Sequence, residues 1–456
     1  MNYTEAVQYI ESFPDMERGT HGSRTPTMSL DAMKAILRRL GEPQHGRHTI
    51  HVTGSKGKGS TSTMISSILH EAGFETALFT SPHLHSYTER IKFNQVAISE
   101  ERFARGVSEL KEAIDDEIQS GAGPFSTFGI LTALFFYLTS RMDPPIQWQV
   151  VEVGLGGRYD ATNVFDSKDV AVITAISLEH TEILGASQTE IAANKAGIIT
   201  PGCFAVLAPQ KDPSVRSSIG RKCHHVGAAL IDVRRTYKIK LQNRGMKGHG
   251  FTMEGMKGVH QYETPLLGSF QVDNAATAAA VGNALIDRGV EITQQNIEDG
   301  LKKAEMPGRL EILAGKNTDY LTDGPTILVD GAHNHESAAA LTTSLRGLFG
   351  KPSVIFIVGV NNDKNISAIW RELSSISKSL IVTRSSCGRA MDPTEISEGI
   401  GMQTQVAPVV AKTLTEAMNI AFETATPEDV ICITGSLYLV ADARQWIMDK
   451  KKGSSS

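Results

Sequence analysis

The chain has 456 residues, of which 41% are hydrophobic and 21% charged, with a net charge of −5 at pH 7. That length exceeds what one growing core supports, so two domains are expected, and the composition excludes a disordered or fibrous chain. The mild negative charge speaks against a general binder of nucleic acid or membrane surfaces, although local basic loops can still grip an anionic ligand.

The N-terminal "MNYTEAVQYIESF" has acidic residues and apolar positions at helical spacing, unlike the basic and then apolar layout of a secretory signal. It reads as an amphipathic helix, and the chain as cytoplasmic. Strands are then predicted over 48–53, 76–80, 148–153, 170–176 and 203–207, and helices over 60–72, 101–119, 128–140, 188–198 and 213–222. The most apolar run, Gly129 to Leu138, is half the length a bilayer requires and suits a core helix. Alternating strands and helices build a mainly parallel sheet covered on both faces. From Leu230 to Tyr262, short glycine-punctuated segments suit antiparallel ribbons, and an alanine-rich helix follows.

After "KKAEMPGRLEIL" the alternation restarts, with strands over 326–329, 354–358, 380–383 and 430–434 and helices near 333–348, 365–374 and 413–425. Turn residues at Met306-Pro307-Gly308 mark the boundary, and the absence of a long linker suggests a shared cleft. The closing "KKGSSS" reads as a frayed polar tail. Cys203, Cys223, Cys387 and Cys432 contain no C-x-x-C pair and read as buried thiols.

The chemistry begins at "TGSKGKGS", between a strand and a helix. Glycines let backbone N–H groups approach a polyphosphate, the helix N-terminus favours its charge, and Lys58 adds a mobile cation. Gly59 separates Lys58 from Ser60, so the stretch departs from the Walker A pattern. Ser60 or Thr61 would begin the helix, capping it or facing Mg²⁺. Three further predicted strands end in polar motifs, "TSPHL", "VVEVGLGGRYDATN" and "SLEHTEILG", where ligands of open α/β sheets bind.

Glu152 lies between valines in a buried strand and needs a cationic partner, either Mg²⁺ or Arg158. Ser81 reads as a turn residue or a ligand; His180 as a cap, a surface residue or a ligand, although Mg²⁺ prefers oxygen. Lys195, on a helix with an apolar face, is either a snorkelling surface lysine or an amine turned inward. In the second half, Asp330 is an N-cap or a ligand beside His333, and Arg309 either joins a surface salt bridge or reaches a terminal phosphate.

Together, "TGSKGKGS", "TSPHL" with "YTERI", "EVGLGGRYDATN", "LEHTEILG", "IAANKAGII", "MPGRLE" and "DGAHN" resemble the folylpolyglutamate synthase and dihydrofolate synthase family of Mur-type ATP-dependent amide ligases. "GRAMDP" and "ITGSLYLV" extend the likeness over nearly the whole chain. The family's own loop carries the extra glycine. The resemblance implies an N-terminal P-loop NTPase-like α/β domain over 1–304, a smaller C-terminal Mur-ligase-type α/β domain over 305–450, and the tail over 451–456.

It further implies that ATP phosphorylates a folate or dihydropteroate carboxylate and that L-glutamate attacks the acyl phosphate. Gly54, Ser55, Lys56, Gly57, Lys58, Gly59, Ser60 and Thr61 would hold the phosphates, with Asn274, Arg309, Asp330 and His333 as further nucleotide contacts. Ser81, Glu152 and His180 would surround Mg²⁺, and a carbamylated Lys195 would orient a second ion. Lys58, His180 and Lys195 are thus the expected catalytic groups, and a monomer is the family's common state. Lys56 and Asn194 depart from the residues common in relatives, Asn and Glu. Competing readings are a Mur-type ligase for another carboxylate, such as a cell-wall precursor, and a silent ATP-binding regulator.

Overall fold

The computed structural model describes residues 1–15, 30–121, 123–316, 318–401 and 407–454. It divides into two compact units, the first of Met1–Leu241, Phe251–Thr264 and Val272–Ala304, the second of Gln242–Gly250, Pro265–Gln271 and Glu305–Ser456. A single linear boundary therefore misses two short excursions, 242–250 and 265–271, that group with the second unit.

The strands of the first unit's large sheet are β1 (His48–Thr53), β2 (Thr76–Phe79), β3 (Ile91–Phe93), β4 (Val96–Ala97), β5 (Trp148–Glu152), β6 (Val170–Ile173), β7 (Phe204–Leu207) and β8 (Ala229–Asp232), ordered β4-β3-β2-β5-β1-β6-β7-β8. β1, β2, β5, β6, β7 and β8 pair in parallel, while β3 and β4 add an antiparallel edge. Every residue of β5 and β6 is buried, as expected of strands covered on both faces. The apolar helix Thr127–Ser140 is buried over nearly its whole length and supplies the core beside β2 and β5. β8 occupies ground predicted as ribbon; three strands, β9 (Lys238–Gly245), β10 (Gly248–Gly255) and β11 (Gly258–Thr264), form the smaller sheet.

Register decides where the loops emerge. Val52 stands opposite Glu152, Thr53 opposite Ile173, and Phe79 opposite Val151. The segments after β1, β2, β5 and β6 therefore leave the sheet side by side, as the four polar strand ends implied.

In the second unit, β12 (Glu311–Ala314), β13 (Thr326–Val329), β14 (Val354–Val358), β15 (Ser377–Val382), β16 (Val409–Val410) and β17 (Val430–Thr434) run in the order β12-β13-β17-β14-β15-β16. All neighbours are parallel except β12 with β13. The last helix, Leu437–Ser454, absorbs most of the predicted polar tail, its Lys451 pairing with Asp319; Ser455 and Ser456 lie outside the described residues. Cys203, Cys223 and Cys432 are buried free thiols, whereas Cys387 is half-buried, contrary to expectation. Among the described residues no helix is long and apolar enough to cross a membrane.

Candidate active site

The glycine loop is shaped by close approach. Gly54 has φ 152°, and a Cβ there would lie 1.8 Å from Thr174 Oγ1; at Gly57, φ 85°, it would lie 2.3 Å from Asn274 Oδ1. Buried Asn274 is thereby placed against the loop. The Ser55 and Lys56 amides donate to Ala175 O at 2.9 and 3.1 Å, and Ser55 Oγ donates to Ser177 O at 3.1 Å, so the segment after β6 braces the loop.

The following helix is Lys58–Glu71, not a helix starting at Ser60. Its N-cap is Gly57, with no side chain to cap the first turn. Uncapped amides at a helix N-terminus are what a phosphate needs. Ser60 and Thr61 lie buried within the first turn, and Lys58 Nζ folds back to donate to Gly54 O at 3.2 Å.

Lys195 is no surface lysine. It ends the helix Gln188–Lys195, is 1% exposed, and its Nζ donates to Gly54 O at 2.8 Å and to Glu179 Oε1 at 3.2 Å. Burial, aided by Lys58, lowers its pKa to about 8 despite the opposing pull of Glu179. Burial alone would raise the Glu179 carboxyl, but Lys195, Lys58 and Lys56 outweigh it and hold the group below the usual carboxylate range. Sequence reasoning did not single out Glu179. The signal was an acid directly before His180 in "LEHTEILG", at the rim where an inward lysine would need a counter-charge.

Glu152 closes β5, 3% exposed, and accepts from Ser81 N at 3.1 Å, so the structure brings these two together. Another missed residue stiffens the segment after Ser81: Glu89 accepts from the amides of Leu84, His85 and Ser86 at 2.8 to 2.9 Å. His180 is exposed, at φ 46°, and takes the cap position of the short helix Thr181–Leu184 without a capping bond.

In the second unit Asp330 is not the helix cap. It is buried, accepts from Leu310 N and Ala332 N at 2.9 Å each, and burial raises its pKa against the pull of Arg309. The cap of the helix His335–Phe349 is Asn334. Arg309 packs over Gly331, where a Cβ would meet its Nη1 at 2.5 Å. His333 Nδ1 donates to Gly331 O at 2.8 Å. The nearby ion pair belongs to Glu311 and Arg444, at 3.0 Å.

Chemically, the first unit's rim suits a hard cation and an anion. Glu152 and Ser81 offer oxygen, and Thr61 Oγ1, Ser177 Oγ and Asn194 Oδ1 are buried without a hydrogen-bond partner among the described residues. Such unsatisfied atoms fit a site built for a ligand. Among the described residues no group of three or more His, Cys, Asp or Glu side chains is arranged to hold a metal ion, so a metal here would draw on serine, threonine or a modified lysine as well.

Two family models match the chain, the Mur ligase middle domain over residues 135–282 and the Mur ligase glutamate ligase domain over 308–437. A folylpolyglutamate synthase of Lacticaseibacillus casei is 31% identical over 99% of this chain and 100% of its own length. A dihydrofolate synthase/folylpolyglutamate synthase of Mycobacterium tuberculosis is 31% identical over 91% of this chain and 89% of its own. Among solved structures, the M. tuberculosis folylpolyglutamate synthase complexed with ADP superposes with a TM-score of 0.84 at 28% identity, covering 98% of each chain. A complex of such a synthase with AMPPCP and folate gives 0.80 at 29% identity, covering 98% of this chain and 100% of that one.

Proposed function

Since the chain belongs to the folylpolyglutamate synthase and dihydrofolate synthase family of Mur-type ligases, we propose that it uses ATP to join L-glutamate to a folate or dihydropteroate carboxylate. The observation that carries this reading is Lys195, a buried amine held on the glycine loop's own carbonyl. A phosphate loop that only binds nucleotide has no need of a second, desolvated lysine at its base.

A carboxylate is a poor electrophile, and transfer of the terminal phosphoryl group of ATP makes it an acyl phosphate with a good leaving group. The amine of glutamate then attacks, an amide forms, and phosphate departs. The loop amides and Lys58 hold the phosphates and stabilise charge that develops during transfer. Ser81, Glu152 and His180 are the proposed holders of Mg²⁺; when bound, it neutralises phosphate charge. Oxygen from Glu152 and Ser81 fits that ion; an exposed imidazole nitrogen fits it less well.

Lys195 is suited to carbamylation. With a pKa of about 8, roughly a tenth of its amine is neutral at pH 7, and the neutral amine is what attacks CO₂. The carbamate would supply the carboxylate for a second Mg²⁺. Asn274 is proposed to touch the nucleotide, its position against Gly57 supporting this; contacts from Arg309, Asp330 and His333 rest on the family resemblance alone.

The test offers the purified protein ATP, Mg²⁺ and glutamate with a pteroate-type or a folate-type acceptor, measures ADP and identifies the product by mass. A glutamyl adduct with either is expected, and its identity separates first-glutamate addition from chain extension. Turnover with another carboxylate and none with any pterin acceptor overturns the folate reading.

A further inference from the structure

Behind the rim, four side chains form a buried line that the proposed reaction does not use. Lys168 Nζ donates to His51 Nδ1 at 3.0 Å, His51 Nε2 meets Thr162 Oγ1 at 2.8 Å, and Thr162 Oγ1 donates to Asp160 Oδ1 at 2.5 Å. All four are at most 7% exposed. The direction follows from the carboxylate: the single hydroxyl proton of Thr162 goes to Asp160, so its oxygen accepts from His51, the neutral ring carries its proton on Nε2, and Nδ1 accepts from Lys168, whose amine burial lowers to a pKa of about 7 and which donates in either protonation state. Burial, reinforced by Lys168, keeps the imidazole well below its usual pKa, in the neutral form that this order requires.

Asp160 spends this alignment on one turn. Its Oδ2 accepts from Leu155 N at 2.9 Å and its Oδ1 from Thr162 N at 3.0 Å. The turn between them touches both neighbours of the reacting centre. Gly156 O accepts from Thr53 Oγ1, directly before the glycine loop, at 2.5 Å. Arg158 N donates to Asn194 O at 3.1 Å, Asn163 Nδ2 donates to Gly197 O at 3.3 Å, and a Cβ on Gly157 would strike Lys195 O at 2.8 Å. The carbonyls of Asn194 and Gly197, on either side of Lys195 in sequence, are thus held by this turn and by Asn163 directly after it.

We propose that Lys168, His51 and Thr162 are positioning residues for the ligase reaction: they aim Asp160 so that the 155–162 turn seats Lys195 on Gly54. The proposal rests on the ligase reading above for its kinetic consequence, while the hydrogen-bond order can be observed without turnover.

Three full-length variants test it. Thr162→Val removes the hydroxyl at constant shape and is expected to lower kcat about ten- to a hundredfold, the scale of a small misplacement at a reacting group, with KM for ATP nearly unchanged. Thr162→Ser restores the hydroxyl and is expected to recover kcat to within about twofold. In Lys168→Met, ¹⁵N NMR of histidine-labelled protein should show the His51 Nδ1 resonance shifting as that nitrogen loses its donor, with the proton still on Nε2. A folded Thr162→Val protein with wild-type kcat, or an unchanged His51 spectrum in Lys168→Met, overturns the proposal. If wild-type protein turns over no pterin acceptor, the ligase reading fails and the spectrum alone decides the relay.

Discussion

The two units place a loop and a helix at the end of a parallel strand in the same way, yet they finish the helix differently. After β1, Gly57 caps the helix with no side chain and leaves its first turn open. After β13, Asn334 closes a capping box: Ser337 N donates to Asn334 Oδ1 at 2.9 Å, and Ser337 Oγ accepts from His333 N and Asn334 N at 3.1 Å. One helix end keeps its first amides without a side-chain cap and the other has satisfied itself. In the second loop the polar side chains turn to its own backbone: Asp330 accepts from Leu310 N and Ala332 N, and His333 Nδ1 donates to Gly331 O. The same topology thus yields an open helix end in one unit and a capped one in the other.

The strongest way to break this contrast is to remove the lysine that serves the first loop. Lys195→Ala should lower kcat by about 10²- to 10³-fold, as for loss of one charge-stabilising group, while steady ATP binding by equilibrium titration changes less. An unchanged rate would remove Lys195 from the reacting centre.

The two rims should also respond to pH with opposite signs. Lys195 has a folded pKa of about 8, below its ordinary 10.5, so the unfolded chain binds more protons between those values and stability rises with pH across that window. The penalty is fully present below pH 8, and its recovery is worth at most about 3 kcal/mol by pH 10.5. Asp330 is raised by burial, so the folded chain binds the extra proton just above the ordinary carboxylate range, and stability falls as pH rises through it. Thermal unfolding across pH should show Lys195→Met flattening the alkaline side and Asp330→Asn the acid side. Either variant leaving its own window unchanged would sever that group from the effect.

Closer to the loop itself, Gly54→Ala sets a Cβ against Thr174 Oγ1 at 1.8 Å in a left-handed backbone region. Strain of about 1–3 kcal/mol is expected, with loss of ATP binding, read by unfolding and by nucleotide titration. Wild-type affinity would mean that the loop relaxes to hold phosphate without this close approach.

Much of this was legible in sequence because it is local. The strand β1, the glycines and the helix after them are contiguous, and each predicted strand that reaches the rim has its polar residues at its carboxyl end. Glu152 stood out because a charge among valines contradicts its own strand. What escaped depends on distant pairing. Glu179 matters through a lysine sixteen positions away, and Asp160 through Thr162 to His51, 111 positions from that threonine. Whether Lys195 points inward was open on one helix alone, since an apolar stripe and a snorkelling stem look alike until a neighbour is placed. Whether Asp330 caps the helix was open for the converse reason: several polar residues near a helix start compete for that role, and backbone geometry chose Asn334. The excursions 242–250, in the hairpin of β9 and β10, and 265–271, the link from β11 to the next helix, left no local trace, because such segments read the same whichever unit they join.

The smallest effect is the most diagnostic of the opening contrast. Asn334→Ala removes the side chain that caps the second unit's helix, exposing Ser337 N, and should cost about 1 kcal/mol of stability in thermal unfolding. The helix N-terminus it leaves open would resemble the one after Gly57, yet lacks the glycines, Lys58 and Lys195 that complete the first. No new phosphate binding should therefore appear in an isothermal titration with inorganic phosphate. If it does, an uncapped helix end suffices, and the lysines and close-packed glycines of the first loop serve catalysis more than binding. If it does not, the first loop requires all of its parts.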